Sequence, residues 1–289
     1  MDQYEVIQKL NRDMSKAARL IGRREIRFIL DLYYSFQDFR KANASQIASL
    51  ETGEPNMVMQ WCFDTNKMIE NNVKKAMDEF SSEYRVGNWL KSLTAIGPVI
   101  SAGLLARLDI RKANFAGAFF RYCGLDPTKK WEKGQKCPWN MSLKRLCWII
   151  GDLFWKFQNH ESDYYGKLMV ERKEIESRNN ENRVFADQAV MALATKKFKN
   201  KEVIACYKSG MLPKGHIQNR VIRWVVTRFM SHVHSVMYWD YYGTAPPVPY
   251  MFTDRAKKRF GDGHTHFIPI PNWPFEGEGK PLTDLLKRN

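Results

Sequence analysis

Between Arg23 and about Leu50 apolar residues return at Ile26, Ile29, Leu30, Tyr33 and Phe36. That three-and-four spacing lines one face of a long helix. After a Gly53-Glu54-Pro55 break, Ile69, Val73, Ala76 and Phe80 keep the same period, so a second long helix is expected to about Phe80. Two long helices joined by a short turn predict an antiparallel hairpin over residues 1–85. From Val86 to Cys123 the segments shorten and small residues multiply, which places a boundary near Arg85 to Asn88. Gly124, Pro127, Gly134 and Pro138 make residues 124–141 a loop, and Ser142 reads as the N-cap of a helix running to about His160. Residues 162–178 read as a charged helix, with Asp163/Lys167 and Glu174/Arg178 at helical pair spacing and expected to form a solvated face.

A further helix fits Ala186 to Lys199, and a long one fits Ile217 to Tyr238, whose stripe of Ile222, Val226, Phe229, Val233 and Met237 is expected in the core. From Gly243 onward the chain carries seven of its twelve prolines, so residues 243–289 are expected to be extended, packed by their aromatics or partly disordered. The reading is an all-α, mainly helical fold in three parts: an N-terminal helix hairpin (1–85), a helical domain (86–242) and a Pro-rich tail (243–289).

Charge changes the picture from fold to partner. The 289 residues hold 46 Lys plus Arg against 31 Asp plus Glu, a net +15 that points to a polyanion, with nucleic acid ahead of an anionic membrane. No run of about 18 apolar residues occurs, so membrane binding is not expected. Met1-Asp2-Gln3-Tyr4-Glu5 carries acid where a signal peptide carries base, and the expected location is the cytoplasm of a bacterial or phage-infected cell. Cys62, Cys123, Cys137, Cys147 and Cys206 are odd in number and never paired as C-x-x-C, so they read as reduced thiols. His264 and His266, two apart in an extended stretch, are candidate metal ligands that lack a third. His232 and His234 read as packing or hydrogen-bonding residues on different helix faces. No phosphate-binding loop, nucleophile elbow or H-E-x-x-H helix occurs, and no cofactor is expected.

The segment Leu90 to Leu105 carries the most specific signal. An apolar helix end meets Ile96-Gly97-Pro98, and a second apolar helix begins at once, which resembles a helix-hairpin-helix. Gly97 lets the backbone approach a phosphate, Pro98 presets the first helical turn, and the N–H groups of Val99 and Ile100 point at the anion, with Lys91 nearby. Such a motif contacts backbone and not bases. Ala95 stands where many such hairpins have a first glycine. Downstream, Arg121, Lys129, Lys130, Lys133, Lys136, Lys144 and Arg145 face only Asp126 and Glu132, and Trp131 and Trp139 are interleaved with them. Basic residues alternating with aromatics suit phosphate contact and base stacking, or a solvated loop that two tryptophans anchor to the core.

The hairpin, then Phe115 to Tyr122, Cys123-Gly124-Leu125-Asp126-Pro127, Lys133-Gly134-Gln135-Lys136 and Ser142-Leu143-Lys144-Arg145, resembles the C-terminal transposase domain of the insertion-sequence transposases known as bridge-RNA-guided recombinases. The resemblance covers about residues 86–155, and Gly215-His216-Ile217 and the Pro-rich tail are similar to bacterial and phage proteins of that group. It implies DNA transposition or recombination, a preceding RuvC-like nuclease domain with four metal-holding carboxylates, and a nucleophilic serine. This chain departs on both counts: the residues before the hairpin read as helices, and no serine lies between Gly124 and Met141. Ser142 is the nearest catalytic candidate. The expected role is therefore DNA binding, duplex or branched. The alternatives are a recombinase whose nuclease half or guide RNA arrives in trans and a structured-RNA-binding scaffold. A homodimer through the N-terminal helices is the expected assembly if one forms.

Overall fold

The computed structural model describes residues 12–50, 56–249, 252–254, 257–258 and 268–288. His264, His266 and the Gly53-Glu54-Pro55 break lie outside the described residues. Among those described the chain is mainly helical and holds no strand, only an isolated parallel bridge between Tyr84 and Lys280. The helices are α1 (Arg12–Arg19), α2 (Arg23–Ala48), α3 (Met57–Ser82), α4 (Arg85–Lys91), α5 (Pro98–Arg107), α6 (Ala116–Tyr122), α7 (Met141–Phe157), α8 (Tyr164–Glu181), α9 (Ala186–Thr195), α10 (Lys201–Lys208), α11 (Lys214–Tyr242) and α12 (Leu282–Lys287). The periodicity missed α1, α10 and α12, each eight residues or shorter, because so few turns display no period.

The chain divides into two compact units, Met1–Phe115 with His234–Asn289, and Ala116–Val233. The expected boundary at Arg85–Asn88 therefore falls inside the first unit. The reason is packing: α5 lies against α2, α3 and α4, so cutting at residue 85 would expose it. The tail beyond residue 243 is likewise part of this unit, and the division at Val233/His234 falls within α11.

In the first unit α2 buries Ile26, Leu30 and Tyr33, and α3 buries Met77 and Phe80. A polar lock joins α2 to α3. Arg40 Nε donates to Glu70 Oε2 at 2.5 Å and Gln37 Nε2 donates to Oε1 at 3.2 Å. Burial pushes the Glu70 carboxyl up, but the bonds from Arg40 and Gln37 outweigh it and hold the group below its ordinary value. Burial, together with Glu70, pushes the Tyr33 phenol up to about 12.

From Ile100 to Ala106 every residue of α5 is buried. A helix enclosed in this way has no water for its last carbonyls, which need protein donors. Arginines of α2 supply them: Arg23 Nη2 donates to Leu108 O at 2.6 Å, and Arg27 donates to Ala106 O at 3.0 and 2.8 Å. Arg23 is 5% exposed and pairs with Asp109 at 3.4 Å. Hydrogen bonds from Arg111, with the charge of Arg23 adding to them, hold the Asp109 carboxyl at about 2 despite its burial.

Among the described residues the tail is fastened by hydrogen bonds and by buried leucines. Trp89 Nε1 donates to Pro271 O at 3.0 Å, Asn88 Nδ2 to Glu278 O at 2.8 Å, and Lys280 N to Glu83 O at 2.8 Å. Leu282, Leu285 and Leu286 of α12 are buried, while Trp273 and Phe275 are only half-buried. Asp240 accepts from Leu282 N at 2.6 Å and pairs with Arg85 at 2.9 Å. His234 Nε2 donates to Ala113 O at 2.7 Å.

The second unit is built on α7, α8 and α11. Leu143, Leu146, Cys147, Ile150 and Phe154 form the buried stripe of α7. Phe154 stacks on Tyr165 at 4.8 Å, and Phe229 meets both rings edge-on. Of the α11 stripe, Val226, Phe229 and Val233 are buried here and Met237 is buried in the first unit, as predicted, while Ile222 is half-buried. Tyr165 Oη and His232 Nδ1 are hydrogen-bonded at 2.8 Å. The expected solvated face of 162–178 is corrected at two acids. Asp163 is buried at the N-cap of α8, where burial pushes its carboxyl up, and Glu176 is buried between Arg172 and Arg220 at 2.5 and 2.9 Å.

Arg23→Ala is expected to cost about 2–3 kcal/mol, the range for a buried charge-assisted hydrogen bond, read as a lower urea midpoint. Because folding depresses the Asp109 pKa, its contribution is complete above pH about 4 and is lost as pH falls towards about 2. Urea midpoints across that window are expected to fall less steeply in Asp109→Asn than in the parent.

Candidate nucleic-acid interface

The turn between α4 and α5 belongs to the first unit. Its two apolar residues face inward, Leu93 and Ile96 both being buried, and Ile96 N donates to Leu93 O at 3.1 Å. Ala95 sits at the corner with φ 72°, the left-handed conformation that favours glycine. Asn272 of the tail donates through Nδ2 to Ser92 O at 3.0 Å and so braces the turn.

Gly97 then serves as the N-cap of α5, with φ −101° and ψ −177°, and Pro98 opens the helix. That backbone suits any residue, and a Cβ at Gly97 would meet nothing within 4 Å. Neither conformation nor packing within the chain requires glycine there. Ser101 N donates to Gly97 O at 3.0 Å, the first bond of the helix. The N–H groups of Val99 and Ile100 precede it and have no carbonyl four residues back within α5. The Ile100 side chain is buried, so only its backbone is a candidate contact. Lys91 is corrected: its Nζ donates to Asp78 Oδ1 at 2.6 Å and also bonds Ser82 Oγ, so its charge is committed inside the unit.

The basic loop belongs to the second unit. Helix α6 ends in paired bonds, Leu125 N to Phe120 O at 2.8 Å and Gly124 N to Arg121 O at 3.2 Å, with Gly124 at φ 68°. A Cβ at Gly124 would also lie 2.9 Å from Trp139, so the position requires glycine on two grounds. Asp126 Oδ1 accepts from Thr128 N and Oγ1 at 2.9 and 2.7 Å, and its carboxylate pairs with Arg121 at 3.4 Å. Asn140 N donates to Tyr122 O at 2.9 Å and closes the base of the loop.

The two tryptophans have different roles. Trp131 is exposed and donates through Nε1 to Gln135 O at 2.7 Å, folding the loop on itself. Trp139 packs beside Gly124, with Lys144 Nζ 3.8 Å from its ring centroid. Lys129, Lys130, Lys133 and Lys136 are exposed and make no ion pair among the described residues. Arg145 is exposed on α7, and Arg121 stays largely exposed despite its partner.

Ser142 is corrected as a cap. Asn140 holds that position, its Oδ1 accepting from Leu143 N at 2.9 Å, and Ser142 is an exposed residue in the first turn of α7. Asn, like Ser, satisfies a first-turn N–H, and the choice between the two depends on where the loop hands over to the helix.

No protein-family model, curated protein or solved structure matches this chain. Its chemistry is therefore read from its own residues. Among those described, no group of three or more His, Cys, Asp or Glu is placed to hold a metal ion, and no helix is long and apolar enough to cross a membrane. The five cysteines are free thiols, with Cys123 and Cys147 buried.

Sequence reading missed the cationic aromatic cluster of α8 and α11, where Arg172 and Arg228 lie over Trp224 at 5.2 and 5.4 Å. The signal was present in the four-residue spacing of Trp224 and Arg228, but the partner Arg172 lies on another helix.

At Ala95 the left-handed conformation costs about 1–2 kcal/mol, and the extra chain freedom of glycine costs about 0.5–1 kcal/mol. Ala95→Gly is therefore expected to stabilise the protein by about 0.5 kcal/mol, read as a small rise in the urea midpoint.

Proposed function

We propose that the chain binds the sugar-phosphate backbone of a nucleic acid, DNA first, without reading base sequence. The observation that carries this reading is the set of four exposed lysines, Lys129, Lys130, Lys133 and Lys136, unpaired among the described residues on a loop closed at its base. Other cations, among them Lys91, Arg23, Arg27 and Arg220, are spent on contacts within the fold. Lysines left over after the internal pairs are made are available to displace counterions from a polyanion.

The α4–α5 turn supports the same reading as a helix-hairpin-helix. Its corner residue takes a positive φ, its glycine has no role that the fold itself demands, and the first-turn N–H groups of α5 present partial positive charge. The loop and the turn lie in different compact units, and each stands as a backbone contact on its own terms. The resemblance to the transposase domain of bridge-RNA-guided recombinases gives the setting, DNA transposition or recombination. Within that reading Ser142, exposed on α7, is the residue whose loss would abolish strand transfer if the chain is a recombinase completed in trans.

A homodimer through the N-terminal hairpin is favoured by a separate observation. Phe28, Leu32 and Phe39 share a face of α2 and are exposed, as is Trp61 on α3. Apolar side chains of this size in a row need a cover. Light scattering is expected to give twice the chain mass, and Phe28→Glu with Leu32→Glu to give the monomer.

The binding test is a salt titration against duplex, four-way-junction and single-stranded DNA and an RNA hairpin. Changing the four loop lysines to Ala is expected to reduce the salt slope on duplex by up to about 3–4, at roughly 0.9 per phosphate contact. Gly97→Ala is expected to leave stability unchanged while weakening duplex binding. Equal affinities of parent and lysine variant would remove the loop from the reading, and tightest binding to the RNA hairpin would favour the scaffold.

A further inference from the structure

The second unit contains a groove that neither the loop nor the α4–α5 turn uses. It has a volume of about 840 Å³, within the range of about 300–1,000 Å³ typical of small-ligand sites. The first turn of α11, the outer face of α7 and the end of α8 form its walls. Trp148 and Trp155 stand seven residues apart on α7 and so share a face, turned away from the buried stripe of that helix. They differ in what covers them. Lys173 Nζ lies over the Trp155 ring at 4.1 Å, whereas the Trp148 indole is 49% exposed. A large ring left half bare beside a groove is a stacking surface without an occupant.

The polar groups around it narrow the occupant. The Asn180 amide is spent on both backbone groups of Leu212, at 2.9 and 2.7 Å. The amides of Gln218 and Asn219, on the opposite wall, make no hydrogen bond among the described residues. Asp152, paired with Lys156 at 2.6 Å, and Glu181 keep the walls from being uniformly basic. An indole face beside uncommitted donor and acceptor amides, in mixed charge, suits a neutral planar heterocycle better than a phosphate.

A second, smaller cavity of about 150 Å³ shares Trp148, Asn219 and Ile222 with the groove, so the two adjoin at the indole. Its other lining residues include Gly124 and Lys144, at the base of the basic loop, and Arg223 of α11. Lys214, on the first turn of α11, also lines the groove, beside Gly215, where a Cβ would meet nothing within 4 Å. The two cavities therefore form one path within this unit, lined at one cavity by Gly124, Lys144 and Arg223, shared at the half-exposed indole of Trp148 and Asn219, and lined at the other by Gln218 and Lys214.

We infer that this path receives an unpaired stretch of nucleic acid, with one nucleobase stacked on Trp148 and its edge met by Gln218 and Asn219. Lys144, Arg223 and Lys214 then face the flanking phosphates. The inference rests on the nucleic-acid reading above and adds to it a preference for unpaired bases. DNA and RNA offer the same ring chemistry, so both belong in the test.

The experiment compares fluorescence anisotropy of four labelled ligands: a blunt duplex, the same duplex with a short unpaired deoxynucleotide overhang, one with a ribonucleotide overhang, and one whose overhang is abasic. A short unpaired oligonucleotide alone is the fifth ligand. The protein is the full chain and its Trp148→Ala and Trp148→Phe variants. A base-bearing overhang is expected to bind about 10-fold more tightly than the blunt or abasic duplex. Trp148→Ala is expected to erase that gain while leaving blunt-duplex affinity unchanged, which also reports an intact fold, and Trp148→Phe to retain most of it.

An abasic overhang as good as a base-bearing one, or a gain that survives Trp148→Ala, overturns the inference and leaves the backbone reading standing. Binding of the unpaired oligonucleotide alone, lost in Trp148→Ala, with no binding of duplex, supports the pocket and overturns the duplex reading. Binding of none of the five overturns both. The relative gain from the two overhangs identifies DNA or RNA as the source of the base.

Discussion

The first unit depends on the satisfaction of one enclosed helix. Helix α5 is apolar on all sides and packs against α2, α3 and α4, so burial favours it strongly while its last carbonyls lose their water. Arg23 and Arg27 resolve that conflict by reaching from the first turns of α2 to Leu108 O and Ala106 O. Cations at a helix C-terminus also complement its dipole. The same contact fixes α2 against the chain that follows α5, where Asp109 balances both Arg23 and Arg111. Removing Arg23 and Arg27 would leave buried carbonyls without their donors, which is costlier than the loss of the bonds themselves, while Asp109 would keep Arg111.

Seen from its other end, the same helix carries the candidate chemistry. Enclosing its body leaves its N-terminal end, from the Gly97 cap to Val99, half-exposed. The turn before it is held from three directions: Leu93 and Ile96 are buried below, Ser92 is bonded by Asn272, and Trp89 is tied to Pro271. The Pro-rich tail thus acts as a brace for the turn. Its prolines keep residues 268–281 out of helix, and the polar backbone groups there and at Leu282 are met by side chains of α4 and α11 and by the backbone beside α4.

The distribution of charge separates structure from candidate function. A net charge of +15 is a property of the whole chain, but many of its cations are internal ties. Those of the 129–136 loop are not, because no acidic side chain reaches them among the described residues. That loop is nonetheless ordered locally by Asp126, Asn140, Trp131 and the Gly124–Trp139 contact. Exposed charge on an ordered segment suits a rigid polyanion, since little chain entropy is lost on binding.

Helical periodicity by itself determined the long elements, because stripes such as Ile26-Leu30-Tyr33 and Val226-Phe229-Val233 have only one way to be buried together. Gly124, Pro127, Gly134 and Pro138 marked the 124–141 loop through local residue chemistry, whereas the positive φ at Ala95 runs against the preference of alanine and is imposed by the packed turn. Tertiary structure alone decided which polar residues were spent. Lys91 is paired with Asp78, Asp163 and Glu176 are buried, and Asn140 rather than Ser142 caps α7. Packing also decided that residues 86–115 and the tail belong with the N-terminal helices, a grouping that brings together residues as far as 269 positions apart, Arg288 donating to Arg19 O. The bare indole of Trp148 has the same origin. Local pattern shows which face of a helix a residue occupies, but only the neighbouring helices show whether that face is covered.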